Sequence, residues 1–489
     1  MLFTFGTICV FVADDSFLTL QAMKKNDNLA TDIYTSEAMH HAAPINRIPE
    51  EGTTPAVAYR MVKDETYAET RPELNLATFV TTRMDEEATR LMNEAIAINY
   101  IDQTEYPRVA VMCGRCINIL ADLWNSPEKG DWKTGALGIG SSEACMLGGV
   151  AAWLRWREKR QKAGKPCDKP NLVISAAYQV VWEKFCQLWQ IEMRTIPLSP
   201  EHQTLDIEAA IRCCDEHTIC VVPCCGVTWT GLNDDVEALD KALTAYHKES
   251  GNDIPIHVDA ASAGFVLPFL DPQKKWDFRL DRVLSISTSG HKYGLVYPGL
   301  GWVIWKDKKY LPKEMAFSVN YLGAEITQVG LNFSRPAAQI LGQYYNFIRY
   351  GRAGYKAIQQ TSMEVAEYCH SQLEKMSCFA PYAKRVENPL FIWKMCSSYE
   401  KTAKWTLYDL QDKLKQSGWM IPAYTLPVNL QHTVVMRVVV RHGFSRDMAE
   451  QLLTDIREAV AELDALKYPT TSRLKFEAEE KQCGKVYTH

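Results

Sequence analysis

The sequence predicts an α/β protein with a large domain on a mostly parallel sheet and a smaller α+β domain after it. Short apolar runs recur through the middle of the chain, with helical segments between several of them. The C-terminal third follows a different pattern, a strand flanked by long amphipathic helices. The chain has 489 residues, more than one small core organises, so two or three domains are expected.

Residues 1–73 read as an N-terminal arm, polar from residue 14 and carrying Pro44, Pro49, Pro55 and Pro72. The arm opens on the apolar run Leu2 to Ala13. Only Met1 precedes that run, so the basic flank of an export signal is missing, and the run is too short to cross a bilayer as a helix. A flexible or packing arm is the expectation.

From residue 74 the large domain begins. A helix is expected near Ser142, because Ala144, Leu147, Ala151 and Leu154 recur at helical spacing, with an exposed basic end at Arg155, Arg157, Lys159 and Arg160. Strands are expected at 171–174, 219–222, 254–258, 283–286 and 301–305, and helices at 206–214 and 235–250. Strands alternating with helices predict a mostly parallel sheet covered on both faces. The boundary is placed near residue 362, with the small domain over 363–470 and a tail over 471–489. In the small domain, 406–417 reads as a helix and 434–440 as a strand. Ser445 caps a helix that carries Met448, Leu452, Ile456 and Val460 on one face.

Composition excludes several classes. The formal charge of −5 does not suit nucleic acid, which prefers a basic surface. The 15 cysteines form no spaced framework and no C-x-x-C pair with matching histidines. Reduced thiols, a cytoplasmic location and no metal are therefore expected.

Three stretches carry chemistry. Ser287–Gly294 follows an expected strand and is rich in small residues, which let the backbone turn tightly beside a ligand. A lysine there, Lys292, can be desolvated and held neutral, although alone it reads equally as a lysine in a surface turn. Pro255–Asp259 is an apolar strand ending in a carboxylate, at the end of a parallel sheet that faces a ligand crevice. Asp259 also suits a helix cap. Gly138–Glu143 leads into a helix, where Ser141, Ser142 and the helix-start amides suit an anion, as they suit an ordinary capped helix. An amine, an acid and an anion site are what pyridoxal phosphate requires of a protein, with a group against its ring face.

Ile139–Gly149, His257–Ser262, Ser289–Lys292 and Asn332–Pro336 resemble the signature blocks of the glutamate decarboxylases, which are fold-type I pyridoxal-phosphate enzymes. The resemblance runs in collinear order from about Arg47 to about Leu463. It implies Lys292 as the Schiff-base lysine, His291 and Ser289 beside the cofactor, and Asp259 as the pyridinium partner. Ser141 and Ser142 resemble phosphate ligands, and Ser334 the one donated by the other subunit. Gln179 matches the residue stacked on the ring, Thr228 an active-site threonine and Tyr321 a flexible-loop residue over the site. For the substrate, Thr78 and Phe79 resemble the block that holds the side-chain carboxylate of glutamate. Asn99 and Asp102 resemble a stretch from the partner subunit, and Arg437 the small-domain arginine.

The implied activity is conversion of L-glutamate to 4-aminobutanoate and CO2 by a homodimer or higher homo-oligomer with shared sites, without nucleic acid or membrane. Decarboxylation of another amino acid and a non-catalytic member of the fold stay open. Cys224 stands where members usually carry threonine or glycine, and residues 174–178 depart from the usual small polar run. The calmodulin-binding tail of plant members is missing. The chain ends in His489, as bacterial members end in a histidine that plugs the site near neutral pH, although a disordered terminus is the simpler expectation here.

Overall fold

The computed structural model describes residues 46–200, 202–319 and 326–476. The chain divides into two compact units at Arg71/Pro72. In the first unit, one helix spans Pro55–Glu65, with Pro55 in its first turn and Thr54 capping it through the Val57 N–H.

The second unit is built on a seven-stranded sheet. Its strands are β1 (Gly135–Gly138), β2 (Asn171–Ser175), β3 (Glu192–Ile196), β4 (Thr218–Val222), β5 (Ile256–Asp259), β6 (Val283–Ser289) and β7 (Gly301–Trp305). Their order is β1-β7-β6-β5-β4-β2-β3. Only β7 runs against its neighbours; β6, β5, β4, β2 and β3 pair in parallel. Side chains alternate between two cores. Val221, Val258 and Ile286 join Leu120, Leu239 and Leu243 on one face, while Cys220 and Val222 join Trp156, Trp182 and Phe185 on the other. Both faces are covered, as the unbroken apolar runs predict.

The helix expected near Ser142 spans Ser141–Lys162 and is buried on most sides. Its basic end departs from expectation in part: Lys159 is exposed, but its neighbours are not all so. Arg160 is only 7% exposed. Its guanidinium donates to the carbonyls of Pro166 and Glu216. Arg155 is half-buried and donates to the Tyr310 carbonyl. Long arginine stems can bury while their heads find carbonyls, which periodicity does not reveal. Gly148 and Gly149 in this helix are packing requirements. A Cβ on Gly148 would lie 2.2 Å from the His257 ring, and one on Gly149 2.6 Å from Phe185.

A second sheet is antiparallel, in the order Phe379–Pro381, Leu390–Met395, Val434–Val439, Ala423–Thr425. Helices Leu407–Gln416 and Arg446–Asp464 close over it around Trp393, Trp405, Leu410, Leu452 and Ile456. Ser445 caps the second helix by accepting from the Met448 N–H. A helix spanning Ala338–Glu374, interrupted at Gly351 (φ 54°), was not anticipated, and it runs through residue 362, where the sequence places the domain boundary. Phe317–Val319 and Ile326–Gln328 form a separate antiparallel pair. The described cysteines are all unpaired, and most are buried.

Candidate active site

The carboxyl ends of the parallel strands converge where the sequence places its chemistry. Asp259 is the last residue of β5, beside Cys224 just beyond β4 and opposite Ser287 of β6. Its carboxylate is 3% exposed. It accepts from the Trp182 indole N–H at 2.8 Å and from the Ala261 N–H at 3.1 Å. The capping reading is thus partly met, but one oxygen is committed to an aromatic donor in the middle of the site.

Lys292 follows β6. Its Nζ lies 3.5 Å from the Ser262 hydroxyl and 5.0 Å from the centre of the Phe79 ring. Burial lowers the amine's pKa, and the Asp259 charge opposes that shift. Neighbouring His291 accepts at Nδ1 from the Gly299 and Leu300 N–H groups, at 3.3 and 3.2 Å. Nδ1 as acceptor fixes the neutral tautomer with its proton on Nε2. Burial, with Lys292 beside it, lowers His291 to about 4. A Cβ on Gly140 would lie 3.1 Å from the His291 ring, so the turn before Ser141 and Ser142 packs directly on it. Ser141 is half-buried and Ser142 exposed, at the start of a helix whose first N–H groups have no partner within the helix. Ser289 ends β6 fully buried, and its hydroxyl has no partner among the described residues.

On the other side of Lys292 stands Phe79. Arg437 lies 4.9 Å from the centre of its ring, so two basic side chains, Lys292 and Arg437, sit beside one aromatic ring. Arg437 is 7% exposed and has no carboxylate partner among the described residues. It donates to the carbonyls of Thr228 and Ala77 and leaves its Nε unpartnered. Thr78 is half-buried, its hydroxyl accepting from the Val80 N–H at 3.2 Å.

Other expected residues stand apart. Gln179 is exposed, and its side-chain oxygen caps its own helix through the Val181 N–H at 2.8 Å. Asn99 and Ser334 form a second cluster, 3.4 Å apart, with half-buried Asp102 nearby in sequence. No hydrogen bond joins that cluster to Lys292 among the described residues. Tyr321 and His489 lie outside the described residues. A cavity of about 580 Å³ lined by Arg155, Trp156 and Arg282 lies at the opposite, amino-terminal ends of the strands and contains none of these groups.

Sequence reasoning missed Trp182, Ser262 and Glu143 as working residues. All three sit inside or beside the motifs, but their partners are distant in sequence. Glu143 is 5% exposed. It accepts from the N–H groups of Ile139, Leu331 and Asn332 and from the Asn332 side chain, at 2.8–3.1 Å. It therefore ties the turn before Ser141 to the loop that carries Ser334. Replacing Glu143 with alanine orphans those donors, and a stability loss of about 2–4 kcal/mol is expected. Chemical denaturation measures it, and an unchanged midpoint would remove the clamp.

The residues present fit pyridoxal phosphate. They supply an amine eased toward neutrality, a buried acid beside it, an unpartnered serine hydroxyl, and a helix start packed on a neutral histidine. Comparisons with known proteins point the same way. Residues 58–394 match the model of the pyridoxal-dependent decarboxylase conserved domain. The chain is 46% identical over 434 residues to a glutamate decarboxylase of Lactococcus lactis subsp. cremoris, covering 88% of this chain and 92% of that protein. It is 40% identical over 461 residues to a glutamate decarboxylase of Petunia hybrida, covering 94% and 91%. The structure is similar to that of Lactobacillus brevis glutamate decarboxylase, with a TM-score of 0.86 and 44% identity over 89% of this chain and 98% of the other.

Proposed function

The chain belongs to the pyridoxal-dependent decarboxylases, and from that premise we propose that it converts L-glutamate to 4-aminobutanoate and CO2. The observation that carries the reading is the grouping of Lys292, Asp259, Phe79 and Arg437 at the carboxyl ends of the strands. Pyridoxal phosphate, when bound, supplies the electron sink for the pair left as CO2 departs. The chain supplies the rest. Lys292, its proton loosened by burial, is the amine that attaches the cofactor. Asp259 would hold a proton at the pyridine nitrogen, and Ser141, Ser142, Ser289 and His291 would hold the phosphate. Gln179 would cover the ring face in exchange for its present cap, Thr228 would stand near the cofactor, and Tyr321 keeps the role that the family resemblance implies.

Arg437, cationic and without a carboxylate of its own, orients the substrate beside Phe79. Orientation matters because the rate depends on how well the reacting group is aligned before the bond breaks. Thr78 and the Phe79 N–H hold the distal carboxylate. The cluster of half-buried Asn99 and Asp102 with exposed Ser334 is suited to completing the site of a second copy of the chain, which makes a homodimer or larger homo-oligomer part of this reading. Asp102 meets the distal carboxylate with one proton shared between them, since two bare carboxylates repel. The division into arm, large domain to about residue 362, small domain and tail, and a cytoplasmic location, complete the proposal. No helix among the described residues is long and apolar enough to cross a membrane.

Amine and CO2 release from a panel of amino acids tests the function. Preference for glutamate is expected, and preference for another amino acid moves the reading to that substrate. Within the same assay, Asp102→Ala and Thr78→Val are expected to weaken use of glutamate by about 1–3 kcal/mol for each lost hydrogen bond, with cofactor attachment unchanged. Unaltered glutamate kinetics in both variants would place the specificity pocket elsewhere.

A further inference from the structure

Thr81 lies three residues beyond Thr78 and is 6% exposed. Both of its hydrogen-bond donors are spent on the lysine turn. Its backbone N–H donates to the His291 carbonyl at 2.8 Å, and its hydroxyl donates to the Lys292 carbonyl at 2.7 Å. The second donor to the Lys292 carbonyl is the Leu295 N–H at 3.1 Å, from within the same turn. Thr81 is thus the tie to that carbonyl from outside the turn among the described residues.

The other end of the same segment is held by the small sheet. Arg437 donates to the Ala77 carbonyl at 2.6 Å. Arg441 donates to the carbonyls of Asn75 and Val80, at 2.7 and 2.8 Å. The Leu76 N–H donates to the Met420 carbonyl, and the Val439 N–H to the Leu76 carbonyl, both at 3.0 Å. Residues 75–81 therefore form one braced segment. Arg437 of the small sheet and Arg441 just beyond its strand grip it along its length, Thr78 and Phe79 occupy its middle, and Thr81 fastens its far end to the lysine.

We propose that Thr81 is a positioning residue that fixes the main chain of Lys292 relative to Thr78, Phe79 and Arg437. This rests on the reading of Lys292 as the reactive amine. A lysine has four side-chain torsions between its backbone and its nitrogen, so its amine is placed only as well as its backbone is held. Misplacing a reacting group by about 1 Å can cost a hundredfold in rate. Losing one of two donors to a carbonyl loosens the turn without breaking it, so a smaller effect is expected.

Thr81→Val keeps the side chain's shape and the bond from its N–H to His291, and removes only the hydroxyl. In the cofactor-loaded enzyme, kcat is expected to fall about tenfold, with KM for L-glutamate changed by less than about threefold. The visible absorbance of the attached cofactor should be retained. Thr81→Ser restores the hydroxyl and should restore most of kcat. If the valine variant does not fold, Thr81→Ala lacks the same hydroxyl without needing room, and carries the same expectation. Wild-type kcat in the variant lacking the hydroxyl overturns the proposal, as does an equal loss in Thr81→Ser or a loss confined to KM. Lys292→Ala separates the two ideas. If it still turns over, the lysine reading fails; if it is dead while the hydroxyl-free variant is normal, only the role of Thr81 fails.

Discussion

Lys292→Ala is expected to lose covalent attachment of the cofactor and to lower turnover by at least about a thousandfold. The groups gathered around its amine include Ser262, Phe79, Asp259, Cys224, Cys145 and Arg437, and none of them is a second amine. The fold should survive. Asp259 keeps its bonds from Trp182 and Ala261 when the lysine is gone, and the turn remains held by Thr81 and Leu295. The variant also sheds the cost of burying an amine whose pKa burial lowers. Borohydride reduction followed by mass measurement reads attachment, and amine release reads turnover. A reduced adduct together with normal turnover would assign the chemistry to another residue.

Asp259→Asn is expected to cost turnover about a hundredfold or more, and cofactor affinity less than about tenfold. The amide holds no proton at a pyridine nitrogen, so the electron sink weakens, while the phosphate groups keep their partners. The substitution carries a second effect that the hydrogen bonds make explicit. The carboxylate accepts one N–H on each oxygen, from Trp182 and from Ala261. An asparagine has one oxygen and one NH2 group, so one of those donors meets another donor. That mismatch costs about 1–3 kcal/mol in folding stability, on top of the loss in turnover. The variant's Lys292 amine also loses the nearby charge that opposes its lowered pKa, so its pKa should fall further. Stability, cofactor affinity and turnover measured together separate these effects, and near-normal turnover would show that Asp259 is not the ring partner.

How far the sequence could be read depended on where each residue's partner lies. Strands β2, β4, β5 and β6 are legible because burial on both faces gives each a short, largely apolar start or core. β3 was not, because it is an edge strand with exposed Glu192 and Thr195 and no such run. β1 has only four residues, two of them glycine. The helix Ala338–Glu374 carries Gly351 in a left-handed conformation that breaks its periodicity. In the site, Lys292, Asp259 and the turn before Ser141 could be read from strand ends and a helix start, which are local features. Trp182 and Thr81 could not, because their partners lie 77 and 211 residues away. The resemblance to a known family reached those distances for Thr78 and Arg437, but it names residues one at a time and does not show that Lys292 and Arg437 both sit beside the Phe79 ring.

The unpaired cysteines give the folded chain a built-in chemical clock. Cys396 is half-buried, and hydrogen bonds from Ser398 and backbone lower its thiol, so it is the reactive sulfur among the described cysteines for an alkylating reagent near neutral pH. Burial pushes Cys113 up to about 11 and Cys186 and Cys369 up to about 12, which silences them while the structure is closed. Each of these three sits in a different core: Cys113 on one face of the large sheet, Cys186 on the other, and Cys369 under the small sheet. The order in which they are alkylated under mild denaturant therefore reports which core opens first, with no engineered label.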